Sequence, residues 1–434
     1  MHFPSLLALV ATTLPAANAA FTVPWTLPES TVWDAVKSSE KTVPCPRWRG
    51  ALPNGIHDAT CVTAGFFGST LKTFSDPGAP HASVTLYKTT ESWNKDPRRT
   101  EFVDVVEGSI KKGLSLFGSH AGTSSKPLKM ELTIASSGTW VRTDTDNGAA
   151  SPCYIVVGFP KGAEFRPPPF SWWQKEIVKN MYHCVQQYHH PALNPSNDEK
   201  GTDWWRLGAA RFFDGMAYPA PPEILGKGKY PEEYVSASRL YSHDDEAALF
   251  FHAAHNDGWS PEQITGWMKG HAVETTADAE MKSMGADAAL KKRAHGFARR
   301  VVDKDVRYAP GKAMDMSRVS FKTHSVRDKV NLGVGKTWKE TFALGVWSPK
   351  LLVASFGEGQ TLDVWAETNE DADGVEFSYR KKGTKSWMKG KLDKAFRVSI
   401  PRGAPQGSET YEFVFSMSGT EYSTYPRVMA KRIS

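Results

Sequence analysis

Leu351-Leu352-Val353-Ala354-Ser355-Phe356, followed by Thr361-Leu362-Asp363-Val364-Trp365-Ala366-Glu367, is the stretch that decides the fold class. Its second half places apolar side chains at every other position, the period of a strand with one buried face. Val375 to Arg380, Phe396 to Ile400 and Thr410 to Met417 read the same way, and Gly- and Pro-containing turns separate several of these runs. Residues 331–434 are therefore expected to form a small all-β domain, an immunoglobulin-like or fibronectin-like sandwich.

Upstream of residue 330 the period lengthens. From Ser171 to about Asp303 apolar residues recur at helical spacing, as at Trp173, Ile177, Met181, Cys184 and Tyr188. Ser171-Trp172-Trp173-Gln174 and Ser260-Pro261-Glu262-Gln263 have the form of capping boxes. Asp203 is placed to cap a helix that ends near Tyr218-Pro219. Asp244-Asp245-Glu246 is an acidic first turn of the kind a helix dipole favours. One last long helix is expected after Thr276. Residues 20–165 mix strand-like runs, Ala82 to Tyr87 and Tyr154 to Gly158, with a helix from Val103 to Leu116. Arg166-Pro167-Pro168-Pro169 is a stiff connector to the helical lobe, 166–330. The expected fold class is α+β: a mixed N-terminal lobe, a helical lobe and a C-terminal β-sandwich.

The first twenty residues carry no Asp, Glu, Lys or Arg. Leu6 to Leu14 is an apolar run too short to cross a bilayer, and Ala17-Asn18-Ala19 supplies small residues for cleavage. Residues 1–19 read as a secretory signal peptide, with a mature, extracellular protein starting at Ala20. The four cysteines then read as two disulfides, Cys45–Cys61 and Cys153–Cys184, paired by nearness in sequence. No later run is apolar enough for a membrane span.

The 434 residues carry a formal charge of +6. The excess is mild and spread along the chain, which argues against a nucleic-acid site. The 15 tryptophans serve either large cores or sugar-stacking surfaces. Trp387, set between lysines, is the candidate for stacking in the β domain. The partner is read as an extracellular protein or a polysaccharide.

Two helical segments carry a more specific signal. Lys179-Asn180-Met181-Tyr182-His183 precedes Trp204-Trp205-Arg206-Leu207-Gly208-Ala209-Ala210. Their order and helical context resemble the zinc metallopeptidase clan of thermolysin and the aminopeptidases. In that clan H-E-x-x-H sets two histidine ligands one turn apart, with a glutamate that activates the metal-bound water, and a W-x-x-E-G-x-A helix adds the third ligand. Carried over, the resemblance puts Lys179 at the first ligand, Asn180 at the general base, His183 at the second ligand and Leu207 at the third. Tyr241 falls near the place of the clan's oxyanion tyrosine, although Ser242-His243-Asp244-Asp245 does not keep its pattern. Three of the four zinc-site positions have lost their chemistry. The resemblance thus implies a pseudo-metallopeptidase with no metal and no cofactor. The layout also resembles secreted proteins of filamentous fungi, and so implies an effector-like role at a host or cell-wall interface. A hydrolase using other residues and a carbohydrate-binding protein are the alternatives.

Two further patterns carry a possible chemistry. His252 and His255, with Glu246 upstream, could bind a metal but fit a helix surface better. Gly333-Val334-Gly335-Lys336-Thr337 ends like a phosphate-binding loop, lacks the first glycine at Val330, and is read as a linker.

Overall fold

The computed structural model describes residues 42–44, 60–62, 72–88, 99–135, 140–144, 153–158, 170–191, 193, 203–219, 240–242, 244–274, 276–309, 312–316, 319, 323–368, 374–420 and 423–434. The expected signal peptide, Cys45, the side chain of Cys61 and the Pro-rich connector lie outside the described residues. The chain divides into two compact units, one of residues 1–198 and 213–227, the other of residues 199–212 and 228–434. The fold class is α+β, with a strand-rich C-terminal region.

The first unit contains a short antiparallel pair, β1 (Thr42–Pro44) and β2 (Thr60–Val62). Its main sheet is built from β3 (Lys72–Asp76), β4 (Ala79–Lys88), β5 (Leu128–Ala135), β6 (Trp140–Asp144) and β7 (Cys153–Gly158), in the order β3-β4-β5-β7-β6. β4, β5 and β7 run parallel, and the edge strands β3 and β6 are antiparallel to their neighbours. A parallel pair needs a crossover, and helix α1 (Arg99–Phe117) supplies it between β4 and β5. The buried face of α1 follows the helical period: Phe102, Val106, Ile110, Leu114 and Phe117 are all fully buried. Helix α2 (Phe170–His189) packs against α1 and the sheet through Trp173, Ile177, Met181 and Val185. A Cβ on Gly113 would sit 3.0 Å from the Met181 methyl, so the absence of a side chain there sets how closely α1 and α2 approach. α2 starts at Phe170, which puts Ser171 inside the helix rather than at its cap. The Cys153–Cys184 disulfide joins β7 to α2 across 31 residues, with the Cα atoms 5.8 Å apart.

In the second unit, helix α3 (Asp203–Ala217) contributes its residues up to Phe212. It is followed by α4 (Ala248–Asn256), α5 (Pro261–Gly270), α6 (Ala277–Ala286) and α7 (Ala288–Asp303). The Ser260 capping box forms as expected, with Ser260 Oγ accepting from Gln263 N and the Gln263 side chain accepting from Ser260 N. The single helix expected after Thr276 is two. Asp287 interrupts it, and its carboxylate accepts from the backbone N–H of Ala289 and Leu290 at the start of α7. An N-capping aspartate satisfies donors that a helix leaves open, so the new start is favoured over continuation.

Small pairings β8 (Arg307–Ala309) with β9 (Lys312–Ala313) lead into the sandwich. Its strands are β10 (Thr323–Ser325), β11 (Thr337–Thr341), β12 (Leu344–Gly345), β13 (Lys350–Gly357), β14 (Gln360–Glu367), β15 (Val375–Lys381), β16 (Met388–Lys389), β17 (Phe396–Ile400), β18 (Ser408–Met417), β19 (Ser423–Thr424) and β20 (Arg427–Arg432). One sheet has the order β10-β13-β18-β15-β16 and the other β11-β20-β14-β17, while β12 and β19 pair separately. Phe356 meets Trp338 across the sandwich, and Tyr379 stacks on Phe396. α7 covers the other face of the five-stranded sheet, packing on β18 and β15. β18 is therefore buried on both sides from Tyr411 to Met417, which explains its nearly continuous apolar run. Gly333 to Lys336 is a turn entering β11, tied to β20 by Gly335 N donating to Arg432 O, so it belongs to the sheet rather than to a linker.

Candidate functional site

Of the residues singled out by the peptidase resemblance, Asn180 and Tyr241 are buried, whereas Lys179, His183 and Leu207 are half-buried. On α2, Asn180 is buried, and its amide donates to the carbonyl of Glu176 one turn back at 2.8 Å. His183 Nδ1 is 2.9 Å from the Gln186 side-chain oxygen. Lys179 is half-buried on the same helix. Lys175, 2 % exposed, faces Asp214 at 3.9 Å in a buried ion pair. Leu207 is half-buried on the part of α3 that belongs to the second unit.

The W-x-x-x-G-x-A frame has its own physical cause. Trp204 Nε1 donates to Glu280 Oε1 at 2.6 Å. A Cβ at Gly208 would lie 2.8 Å from the Ala247 Cβ and 2.9 Å from its carbonyl carbon, so only glycine lets α3 approach the turn before α4. Tyr241 is 3 % exposed on the short 3-10 turn Leu240–Ser242. No group of three or more His, Cys, Asp or Glu side chains is placed to hold a metal ion among the described residues. His252 is not a surface histidine: it is fully buried, edge-on to Phe212 and Tyr308, whereas His255 is half-buried with Nδ1 2.9 Å from the carbonyl of Trp259.

Two buried histidines carry chemistry that the sequence did not reveal. His271, just beyond α5, lies between Glu280 (Nε2 to Oε1, 3.0 Å) and Asp287 (Nδ1 to Oδ2, 3.7 Å). Burial alone would lower its pKa, but the two carboxylates outweigh it and raise it to about 9. Burial pushes Asp287 up, but the nearby His271 ring and hydrogen bonds from Trp267 and the backbone of Leu290 and Ala289 outweigh that and hold it near 2. The result is an imidazolium clasped by carboxylates inside a tryptophan cluster. His295, on α7, lies 2.8 Å from Ser416 Oγ through Nδ1 and 2.8 Å from Ser378 Oγ through Nε2. Burial lowers its pKa to about 4, so it is neutral at pH 7. His271 stands at a helix C-cap and Asp287 at an N-cap. Helix-end chemistry is the only local signal that pointed to either.

Among the described residues an open cleft lies at one edge of the sandwich, where β10 and β11 are the edge strands of the two sheets. A cleft of about 510 Å³ is lined there by His324, Arg327, Asp328, Lys329, Trp338 and Glu340, among others. His324 Nε2 pairs with Glu340 Oε1 at 2.5 Å, and its ring stacks on Phe342. The wall is fixed from behind. Gln360, 3 % exposed, accepts from Leu332 N at 2.8 Å and donates to the carbonyls of Val330 and Gly357. Arg432 donates to the Leu332 carbonyl at 2.7 Å. A Cβ on Gly357 would overlap Asn331 Oδ1, at 1.7 Å, so glycine is what lets this wall close on the sheet. Lys329 Nζ donates to the Gly407 carbonyl at 3.1 Å, whereas Arg327 and Asp328 are exposed at the rim.

Trp387 is not a free stacking surface. The Arg380 guanidinium lies over its ring at 4.0 Å, and its Nε1 donates to Asp303 at 2.8 Å. The large exposed apolar side chains among the described residues are Val334, Met388 and Tyr425, with no tryptophan among them. No described helix is long and apolar enough to cross a membrane.

No known protein family and no curated protein matches the chain. Partial likenesses to solved structures exist. The periplasmic g-type lysozyme inhibitor PliG of Aeromonas hydrophila is 11% identical over 26% of this chain and 97% of its own, with a TM-score of 0.19. The pre-peptidase C-terminal domain of a Bacillus anthracis collagenase is 12% identical over 25% and 94%, at 0.18. IMPa of Pseudomonas aeruginosa, solved with an O-glycopeptide, is 12% identical over 36% and 23%, at 0.17. Likenesses this weak define no family for the chain.

Proposed function

We propose that this is a secreted protein that acts by binding, at an extracellular, host or cell-wall interface, and does not hydrolyse peptides. One observation carries the reading: Asn180, at the general-base position of the peptidase-like α2, is buried and bonded to its own helix. An amide held there cannot take a proton from water as a glutamate does. The Cys153–Cys184 disulfide suits an oxidising compartment, which supports secretion. A metallopeptidase ancestry remains part of the proposal and rests on the motif order in α2 and α3.

The test combines three measurements on protein from its native source. N-terminal sequencing should start at Ala20. Elemental analysis should find no stoichiometric zinc, and a broad peptide-hydrolysis screen should find no turnover. One zinc per chain that disappears in His183→Ala, together with peptide cleavage, would replace this reading with the hydrolase alternative.

A further inference from the structure

We infer that the cleft between β10 and β11 is a saccharide-binding site, with Trp338 as the platform for a pyranose ring. The inference deepens the binding reading above by naming a site and a ligand class. Its volume, about 510 Å³, lies within the roughly 300–1,000 Å³ typical of small-molecule sites.

Four features select the ligand. Trp338 is a half-buried wall residue, braced edge-on by Phe356 at 5.9 Å. The C–H groups on one face of a pyranose carry partial positive charge and match the negative face of an indole. The lining also mixes donors and acceptors: the Arg327 guanidinium donates and the Asp328 carboxylate accepts at the rim, while Lys329, bonded to the Gly407 carbonyl, and Glu340, paired with His324, add a second donor and acceptor at the wall. A sugar hydroxyl donates and accepts at once and is served by both kinds. Arg327 and Lys329 stand against Asp328 and Glu340, with His324 paired to Glu340, so the lining carries no strong excess of either sign, which disfavours a phosphate or a polyanion. Finally, the wall is pre-ordered. Val326 N bonds to Val353 O, Val330 N to Ser355 O, and Gln360 holds residues 330–332, so binding does not have to order the loop.

A peptide adding as a strand is the competing occupant of such an edge. β10 is three residues long and flanked by the charged run Arg327-Asp328-Lys329, and β11, five residues with Lys339 and Glu340 among them, has no buried residue, so neither edge offers a row of apolar pockets.

The experiment is calorimetric titration of the mature protein with soluble chito-, laminari- and cello-hexaose, with tryptophan fluorescence as a second readout. At least one should bind. Asp328→Ala and Arg327→Ala, at exposed positions, should each weaken it at least ten-fold. Trp338→Ala should abolish it, with circular dichroism and thermal unfolding checking that the variant is folded. Trp387→Ala should bind as wild type. No binding of any hexaose at millimolar concentration would overturn the assignment. So would binding unchanged in both Asp328→Ala and Arg327→Ala, or binding lost only in Trp387→Ala. Capture of a strand-forming peptide without any hexaose would overturn it in favour of the peptide. If the hexaoses fail while zinc and peptidase activity stay absent, only the cleft assignment falls. If zinc and cleavage appear, the binding reading falls as well.

Discussion

Lowering the pH should loosen α7 from the β-sandwich through one side chain. His295 is 5 % exposed and bonded to Ser378 and Ser416, on adjacent strands β15 and β18. The charges acting on it are Glu376, which favours the imidazolium, and Arg299 and Lys389, which oppose it. Burial is the largest effect, and it holds the folded-state pKa at about 4 against 6.5 for the unfolded chain. A histidine with a lowered folded value binds fewer protons folded than unfolded. Its stabilisation is complete above pH 6.5 and is lost as the pH falls towards 4. The difference corresponds to about 3 kcal/mol between pH 7 and pH 4, a large share of the roughly 5–15 kcal/mol that holds a typical domain together. Urea unfolding of wild type and His295→Gln at several pH values between 8 and 4 tests this. The wild type should lose about 3 kcal/mol more than the variant over that range, because glutamine does not titrate. Parallel pH profiles for the two proteins would refute the burial argument, whatever their absolute stabilities.

His271 should act in the opposite sense: its folded value of about 9 means a stabilisation present below pH 6.5 and lost as the pH rises through 9, so His271→Gln should flatten the alkaline limb of the stability profile, and an unchanged limb counts against the carboxylate clasp. Replacing Cys153 and Cys184 together by serine should cost about 2–4 kcal/mol, read by denaturant unfolding, and no loss would mean that the 31-residue loop is already constrained without the bridge. Gly208→Ala should destabilise by about 1–3 kcal/mol, because its methyl would meet Ala247 at 2.8 Å; a thermal melt equal to wild type would show that α3 has room to retreat. Leu207→Glu alone should bring no zinc by elemental analysis, since it adds one ligand and leaves Asn180 buried on its own helix.

Much of the fold was legible in the sequence wherever one face of an element is buried. β13, β14, β15, β17 and β18 were found within two residues of their ends, since alternate burial writes a period of two into the chain. The Ser260 capping box and the Cys153–Cys184 pairing were equally local. β11 and β20 were missed. β11 is an edge strand with no buried residue, and β20 has only Val428 and Ala430 buried. What makes β20 a strand is its position between β11 and β14, which no local pattern records. The break at Asp287 was missed for a related reason. Helical period runs through it, and the cap bonds from Asp287 decide the interruption.

The sites divide along the same line. The sequence by itself determined the α+β class, the helical and strand periods, and the absence of histidine or carboxylate side chains at Lys179, Asn180 and Leu207, because these are properties of residue type and near spacing. Only the tertiary structure decided that Trp204 answers Glu280 across 76 residues, that His295 sits between serines 83 and 121 residues away, and that Arg327, Asp328 and Trp338 line one cleft. Short-range order comes from backbone sterics and from which face meets water, and both leave a periodic trace. Burial of a charge or the walls of a cleft depend on which distant segments meet, and the cost of desolvating a group is set by neighbours that its own stretch of chain does not encode.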